Sequence, residues 1–311
     1  MYYLGLDVGG TFIKAGLIDE SLEHTRTLDA RSTPTAVDDL KTFIFKLTEL
    51  IRDFQKAAAI ESVGIGIPGL RSSKTHIIQT SPNIPCLKNV NLEELLADEV
   101  HLEIVSENDA NAGAYAESLC GAGVGLRNVA YLTLGTGLGS GLVLNGSLYT
   151  GTSGYAAEFG HTILDPRGRV CGCGQLGCVE TVVSATGMVT TARDILKIPG
   201  ASLLREIPPP LTAEKIHIAA MRGDQAARQV FAETGRWLGI ACANLINLFN
   251  LEMIIIGGGV MASGELLLGQ AADFARQYAF PASFADCQIV QSKLWPDAGM
   301  IGAALLARNR L

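Results

Sequence analysis

His161 and the run Cys171-Gly172-Cys173-Gly174-Gln175-Leu176-Gly177-Cys178 gather one imidazole and three thiols in a short stretch of chain. An imidazole and three thiolates complete a tetrahedral shell for Zn²⁺. A shell closed by four protein ligands leaves no position for water, so such a site is structural. Gly172, Gly174 and Gly177 would let the backbone wrap tightly enough for the three sulfurs to converge. The chain has seven cysteines, an odd number. In a cytosolic chain such a cluster reads as a metal site before a disulfide framework. Cys86, Cys120, Cys242 and Cys287 read as small buried hydrophobes. Glu158 and Glu180 flank the cluster, either as solvated acids or as acids positioned by the metal to bind substrate hydroxyls.

Three glycine-rich turns suggest a second chemistry. In Asp7-Val8-Gly9-Gly10-Thr11, followed by Lys14, the glycines would let backbone N–H groups approach phosphate oxygens, and Thr11 adds a hydroxyl. Asp7 could hold Mg²⁺ through water. The same residues also suit an ordinary hairpin turn. Gly135-Thr136-Gly137 and Gly257-Gly258-Gly259 each follow an apolar strand. Three such turns together favour a bound nucleotide over three unrelated loops. In Glu107-Asn108-Asp109-Ala110-Asn111, Asp109 opens a helix. It reads equally as a helix N-cap and as the general base that a hydroxyl needs when it attacks a phosphoryl group. Asn108 and Asn111 could fix a polyol.

The elements that must position these residues alternate strands and helices. Tyr3 to Asp7 and Phe12 to Ile18 predict a hairpin. Leu40, Phe43, Ile44, Leu47, Leu50, Ile51 and Phe54 recur at helical spacing and predict a helix over 38–57, with Thr35 and Asp38 as its capping pair. Strands follow at 62–67 and 102–105, and helices at 92–99 and 109–119. Beyond Gly125 the order restarts: strands at 129–134 and 140–144, helices at 179–196, 212–221 and 225–249, a strand at 253–256 and a helix at 299–308. LDVGGTFIKAGLI from Leu6 and LTLGTGLGSGLVL from Leu132 share a strand, Gly-Thr turn, strand pattern, a sign of two related α/β halves.

At 311 residues the chain has room for two domains, and 48% hydrophobic against 18% charged residues supports a large core. A net charge of −7 argues against a nucleic-acid partner. No apolar run is long enough to cross a bilayer, and no basic stretch with a cleavage site opens the chain; the expected location is the cytoplasm. His24, His76, His101 and His217 read as surface or loop residues.

Together, DVGGTFIKAGLID, GIGIPG, SPN at Ser81, ENDANA, LGTGLGSG, EFGH at Glu158, CGCGQLGCVE and IIIGGG closely resemble the ROK family of bacterial sugar kinases and repressors, over nearly the whole chain. The resemblance implies an α/β, two-lobed, ribonuclease-H-like fold of the actin/hexokinase type with an interdomain cleft. One lobe would span 1–120, joined by the final helix over 298–311; the other, 121–297, would carry the zinc loop. It implies that Asp109 is the catalytic base and that Gly69, Asn83, Asn108, Glu158, His161 and Glu180 line a sugar pocket. It implies Zn²⁺ on His161, Cys171, Cys173 and Cys178. ATP phosphates would meet Gly9, Gly10, Thr11 and the Gly135-Thr136-Gly137 turn, with adenosine near Gly257 to Gly259. Family members are often dimers, so a homodimer is expected. Repressors of the family carry an added DNA-binding domain, for which there is no room before Leu4. Ser140 stands where many members have glycine. Glucose is the first-choice substrate; N-acetylmannosamine, N-acetylglucosamine, fructose and allose are alternatives. A non-catalytic sugar sensor and an actin-type assembly protein are the rivals from other classes, opposed by the intact base and turns and by the zinc loop.

Overall fold

The computed structural model describes residues 1–19 and 30–310, the Glu265 side chain aside; His24 lies outside them. In chain order the elements are β1 (Tyr2–Val8), β2 (Phe12–Asp19), β3 (Ala30–Pro34), α1 (Leu40–Ala57), β4 (Ile60–Ile67), β5 (Leu70–Arg71), β6 (Ile78–Thr80), α2 (Leu92–Val100), β7 (Glu103–Asn108) and α3 (Asp109–Cys120). There follow β8 (Val129–Leu134), β9 (Leu138–Leu144), β10 (Ser147–Leu148), α4 (Ala185–Ile195), α5 (Ala213–Met221), α6 (Gln225–Phe249), β11 (Met253–Gly257), α7 (Gly264–Tyr278), α8 (Pro281–Ala285), β12 (Gln288–Gln291) and α9 (Ala298–Asn309). They form two compact units. The first holds Met1–Arg127, Gly141–Ala157 and Lys293–Leu311; the second holds Asn128–Ser140 and Glu158–Ser292.

The sheet of the first unit runs β3-β2-β1-β4-β7. β1, β2 and β3 pair antiparallel, while β4 and β7 extend the sheet parallel to β1. Side chains alternate across β1 with the period of a strand. Leu4 and Leu6 join Phe43, Leu47, Ile51 and Phe54 of α1 on one face. Tyr3 packs on the other with Ala112 and Tyr115 of α3 and Met300, Ile301 and Ala304 of α9. Glycine decides how closely α9 approaches: a Cβ on Gly5 or Gly64 would overlap the Met300 or Ala303 carbonyl oxygen, and one on Gly302 would overlap that of Ala112. Only hydrogen at these positions lets backbone pack on backbone.

A second sheet has the order β10-β9-β8-β11-β12, with β11 parallel to both β8 and β12 and β10 antiparallel to β9. Read strand by strand, this repeats the order of the first sheet. The likeness between the stretches from Leu6 and Leu132 therefore marks equivalent strand pairs. In the second unit α6 and α7 pack through Gly239, where a Cβ would lie 2.5 Å from both the Ala271 carbonyl oxygen and the Phe274 Cβ.

Several local expectations change. The cap of α1 is Asp39, whose carboxylate accepts the Thr42 N–H at 2.8 Å, in place of the Thr35 and Asp38 pair. The single helix expected over 179–196 is divided: a 3-10 turn at Val179–Thr181 precedes α4, which Ser184 caps. Ser184 is fully buried; its hydroxyl accepts the Gly187 N–H at 3.0 Å and donates to the Glu180 carbonyl at 2.7 Å. That pair of bonds turns the chain between the cysteine loop and the helix. His217 sits on α5 with its ring edge-on to Phe231, not in a loop. No described helix is long and apolar enough to cross a membrane.

Candidate active site and metal centre

In the first unit the residues with catalytic potential sit where parallel strands end. Asp7 is one residue from the end of β1, Gly69 follows β4, Asn108 ends β7 and Asp109 opens α3. Ligands of open α/β sheets gather at this carboxyl edge. Asn108, not Asp109, caps α3: its side-chain oxygen accepts the N–H groups of Ala110 at 2.9 Å and Asn111 at 3.1 Å, and its amide donates to the Gly69 carbonyl at 3.2 Å. Asp109 makes its own bond to the Ala110 N–H at 2.9 Å, but the helix does not depend on it. Burial pushes the Asp109 carboxyl above the usual carboxylate range, against the pull of that N–H. Burial pushes Asp7 up to about 7; the charges of Asp109 and Asp297 add to the rise, and Lys14 opposes it. Lys14 faces Asp7 across the hairpin and donates to the Pro296 carbonyl at 3.1 Å.

The Gly9–Thr11 turn is closed by the Gly9 N–H on the Phe12 carbonyl at 2.9 Å and braced by Thr35, whose hydroxyl donates to the Gly9 carbonyl at 2.7 Å. Neither Gly9 nor Gly10 has positive φ. A Cβ on Gly10 would lie 3.1 Å from the Asn83 Cβ, which places Asn83 against this turn. Gly69 has φ +126°, and a Cβ there would overlap the Thr80 carbonyl.

Beneath Asn108 lies a buried charged network absent from the sequence reading. Arg71 donates to Glu93 at 2.7 Å and to the Ser106 hydroxyl at 2.8 Å, and lies 4.0 Å from Glu107. Glu107 in turn accepts the Asn111 side-chain amide at 2.9 Å and the Asn108 N–H at 2.8 Å. His76 meets Glu93 as well. The partners of Arg71 come from separate segments, so no local spacing pointed to them.

In the second unit His161, Cys171, Cys173 and Cys178 converge, with their ligand atoms all within 4.8 Å of one another. Cys173 and Cys178 sulfurs are 3.6 Å apart, and the Cys171 sulfur is 3.6 Å from His161 Nδ1. Tetrahedral Zn–S bonds of about 2.3 Å demand sulfur separations of roughly 3.8 Å, so the donor set and its spacing fit that ion. Gly174 and Gly177 have φ +92° and +76°, conformations that favour glycine. Gly172 has neither positive φ nor a close neighbour, so it is not needed for the wrap.

The cysteine loop leads straight to the Gly135-Thr136-Gly137 turn. Glu180 Oε2 accepts the Leu138 N–H at 3.0 Å, and Oε1 lies 3.5 Å from the Cys171 sulfur. A Cβ on Gly137 would overlap that carboxylate, whereas Gly135 has open space around it. Ser140 is buried, and its hydroxyl accepts the Phe159 N–H at 3.1 Å. The serine thus holds the segment that carries Glu158, which a glycine there could not do. Of the three glycines after β11, a Cβ on Gly257 would lie 2.5 Å from the Tyr131 hydroxyl, and Gly258 has φ +87° against Leu134. Gly259 alone meets open space. Packing therefore explains the first two, and a ligand could approach the third.

The chain matches the ROK family over residues 3–310. It is 35% identical over 312 residues to the glucokinase of Thermotoga maritima, covering 99% of this chain and 98% of that protein. It is 33% identical to the N-acetylmannosamine kinase of Salmonella heidelberg, covering 99% of each. The crystal structure of a ROK family glucokinase from Streptomyces griseus in complex with glucose and AMPPNP superposes with a TM-score of 0.87 at 34% identity, covering 99% of this chain and all of that one.

Proposed function

Because this chain belongs to the ROK family, we propose that it is an ATP-dependent hexose kinase whose preferred acceptor is glucose, converted to glucose 6-phosphate. The observation that carries the reading is the Asp109 carboxylate. It is half-buried, desolvation raises its pKa, and the neighbouring Asn108 relieves it of the capping task. A base of that kind suits proton removal from an alcohol near neutral pH.

In this reading Asp109 accepts the proton of the sugar C6 hydroxyl as that oxygen forms its bond to the γ-phosphorus. The bond from phosphorus to the β–γ bridging oxygen breaks, and ADP leaves. Gly69, Asn83, Asn108, Glu158, His161 and Glu180 hold the sugar. His161 turns Nδ1 toward the cysteines, which leaves Nε2 for a hydroxyl. N–H groups of Gly10, Thr11, Thr136 and Gly137 meet the phosphates, while those of Gly9 and Gly135 close the two turns; Lys14 is a nearby cation, and adenosine lies by Gly257, Gly258 and Gly259. Mg²⁺, when bound, would supply positive charge to the transferring phosphoryl group, and Asp7 would hold it. Structural Zn²⁺ on His161, Cys171, Cys173 and Cys178 holds the loop that bears Glu180. The active species is a homodimer in the cytoplasm.

ADP release from Mg·ATP across a panel of hexoses and N-acetylhexosamines, run beside Asp109→Asn, tests this reading. Glucose turnover is expected, with the variant still binding sugar but slower by about 10³-fold or more. Turnover with N-acetylmannosamine instead would move the substrate to that of the Salmonella relative. Sugar binding without turnover would favour a sensor, and near-normal turnover in the variant would remove Asp109 from the base role.

A further inference from the structure

We propose that Thr186 is a positioning residue for the phosphoryl donor. Its hydroxyl, together with the Ala185 N–H, holds the Gly135 and Thr136 carbonyls of the Gly135–Gly137 turn and so presents N–H groups of the turn to nucleotide phosphates. The proposal rests on the kinase reading above and deepens it.

The turn is closed on itself only by the Gly135 N–H donating to the Gly137 carbonyl at 3.0 Å. Further bonds to it come from the segment behind the cysteine loop. The Ala185 N–H donates to the Gly135 carbonyl at 2.9 Å. The Thr186 hydroxyl donates to the Thr136 carbonyl at 2.8 Å. Glu180 takes the Leu138 N–H at the far end. With the Gly135 and Thr136 carbonyls engaged from behind and the Gly137 carbonyl by the Gly135 N–H, the turn is left to offer an anion the N–H groups of Thr136 and Gly137 and the Thr136 hydroxyl, the pattern that binds phosphate. The start of α4 does not compete for that task. Its Ala185 N–H is committed to Gly135, and its Gly187 N–H to the buried Ser184 hydroxyl. A helix N-terminus would otherwise be the expected anion site. Here the Ala185 donor is spent on the turn and the Gly187 donor on the Ser184 cap.

The residue that joins the two parts is a threonine on the surface side of α4, where no packing demands a hydroxyl. Valine has nearly the same shape but cannot donate, so Thr186→Val removes the hydroxyl, and with it the bond to Thr136 and a 3.0 Å contact with the Ser184 hydroxyl. Serine keeps it.

The test is calorimetric binding of Mg·AMPPNP and, separately, of glucose to the whole protein, with the KM for ATP measured alongside. Thr186→Val is expected to weaken AMPPNP binding and raise the KM for ATP by about threefold to tenfold, the effect of one lost hydrogen bond. Glucose affinity should stay within about twofold, and Thr186→Ser should restore nucleotide binding. Equal loss for both ligands, or no rescue by serine, would show a merely structural role and overturn the proposal. So would unchanged nucleotide affinity in a folded valine variant. Should Thr186→Val fail to fold, Thr186→Ala is read by the same criteria. A wild-type protein that binds no AMPPNP at all would instead sink the kinase reading itself.

Discussion

Asp7 and Asp109 are two carboxylates that burial has pushed toward neutrality, and their proximity raises Asp7 further. For Asp109 the consequence is kinetic. A base must be ionised to act, so kcat/KM should fall as pH drops through the raised pKa of Asp109, on an acid limb above the ordinary carboxylate range. A pH–rate profile whose acid limb lies near pH 4 would contradict this. For Asp7 the consequence is stability. Its folded pKa, about 7, exceeds its ordinary value of 3.8, so the folded chain binds this proton more tightly than the unfolded chain. The stability it contributes is complete below pH 3.8 and is lost as pH rises through about 7. Asp7→Asn cannot ionise. Its Tm should therefore gain on the wild type between pH 5 and pH 8, and a constant Tm difference across that range would refute the assignment. The ENDAN stretch shows where sequence reading stops at this scale. Asp109 reads equally as cap or base, because both tasks want a carboxylate after a strand. The backbone gives the cap to Asn108, which relieves Asp109 of that task.

Among the elements, α9 and β7 owe their places to features of opposite kind. α9 is held by close backbone approach, so Gly64→Ala should cost at least about 1–3 kcal/mol in urea unfolding, through collision with the Ala303 carbonyl. Gly269→Ala on α7, where a Cβ meets nothing, should stabilise by about 0.4–1 kcal/mol instead. Similar effects from the two would show that the packing is misjudged. β7 is held from below by ions. Arg71 is 9% exposed, and replacing it by methionine leaves Glu93 and Glu107 buried without their cation, a loss of about 3–5 kcal/mol. Glu93 is held below the usual range by Arg71 and by bonds from Ser106 and His76, which outweigh the desolvation that raises it. Its contribution is therefore present above the ordinary pKa of 4.5 and is lost as pH falls through the lowered folded value. Arg71→Met should erase that acid-side loss, as a flatter stability curve in acid. Elements with a full helical period, such as α1 and α6, were legible from spacing. β3, the two-residue strands β5 and β10, and β12 were not, because edge or very short strands carry little apolar alternation.

The molecule as a whole is built on one sheet order used twice, and each copy ends strands in glycine turns or acids that could meet a phosphate or a hydroxyl. The cluster of His161, Cys171, Cys173 and Cys178, whose donors fit Zn²⁺, lies in the second copy. Removing the ion should lower Tm and raise the KM for sugar, and added Zn²⁺ should restore both; Cys173→Ser should show reduced metal content with the same losses. Full activity in protein shown to be free of metal would separate the loop from catalysis. The cysteine cluster, the three glycine turns, the sheet-forming repeats and the family were all determined by the sequence itself. Each is a local spacing rule: ligands a few residues apart, glycine after a strand, apolar residues at a fixed period. Tertiary structure alone decided the rest. Ser140 reaches Phe159, Arg71 finds Glu93 and Glu107, and Thr186 holds Thr136 across 50 positions of chain. A hydrogen bond depends on position in space, and side chains of such ordinary type give no sign in sequence of which distant carbonyl or carboxylate the fold will set beside them.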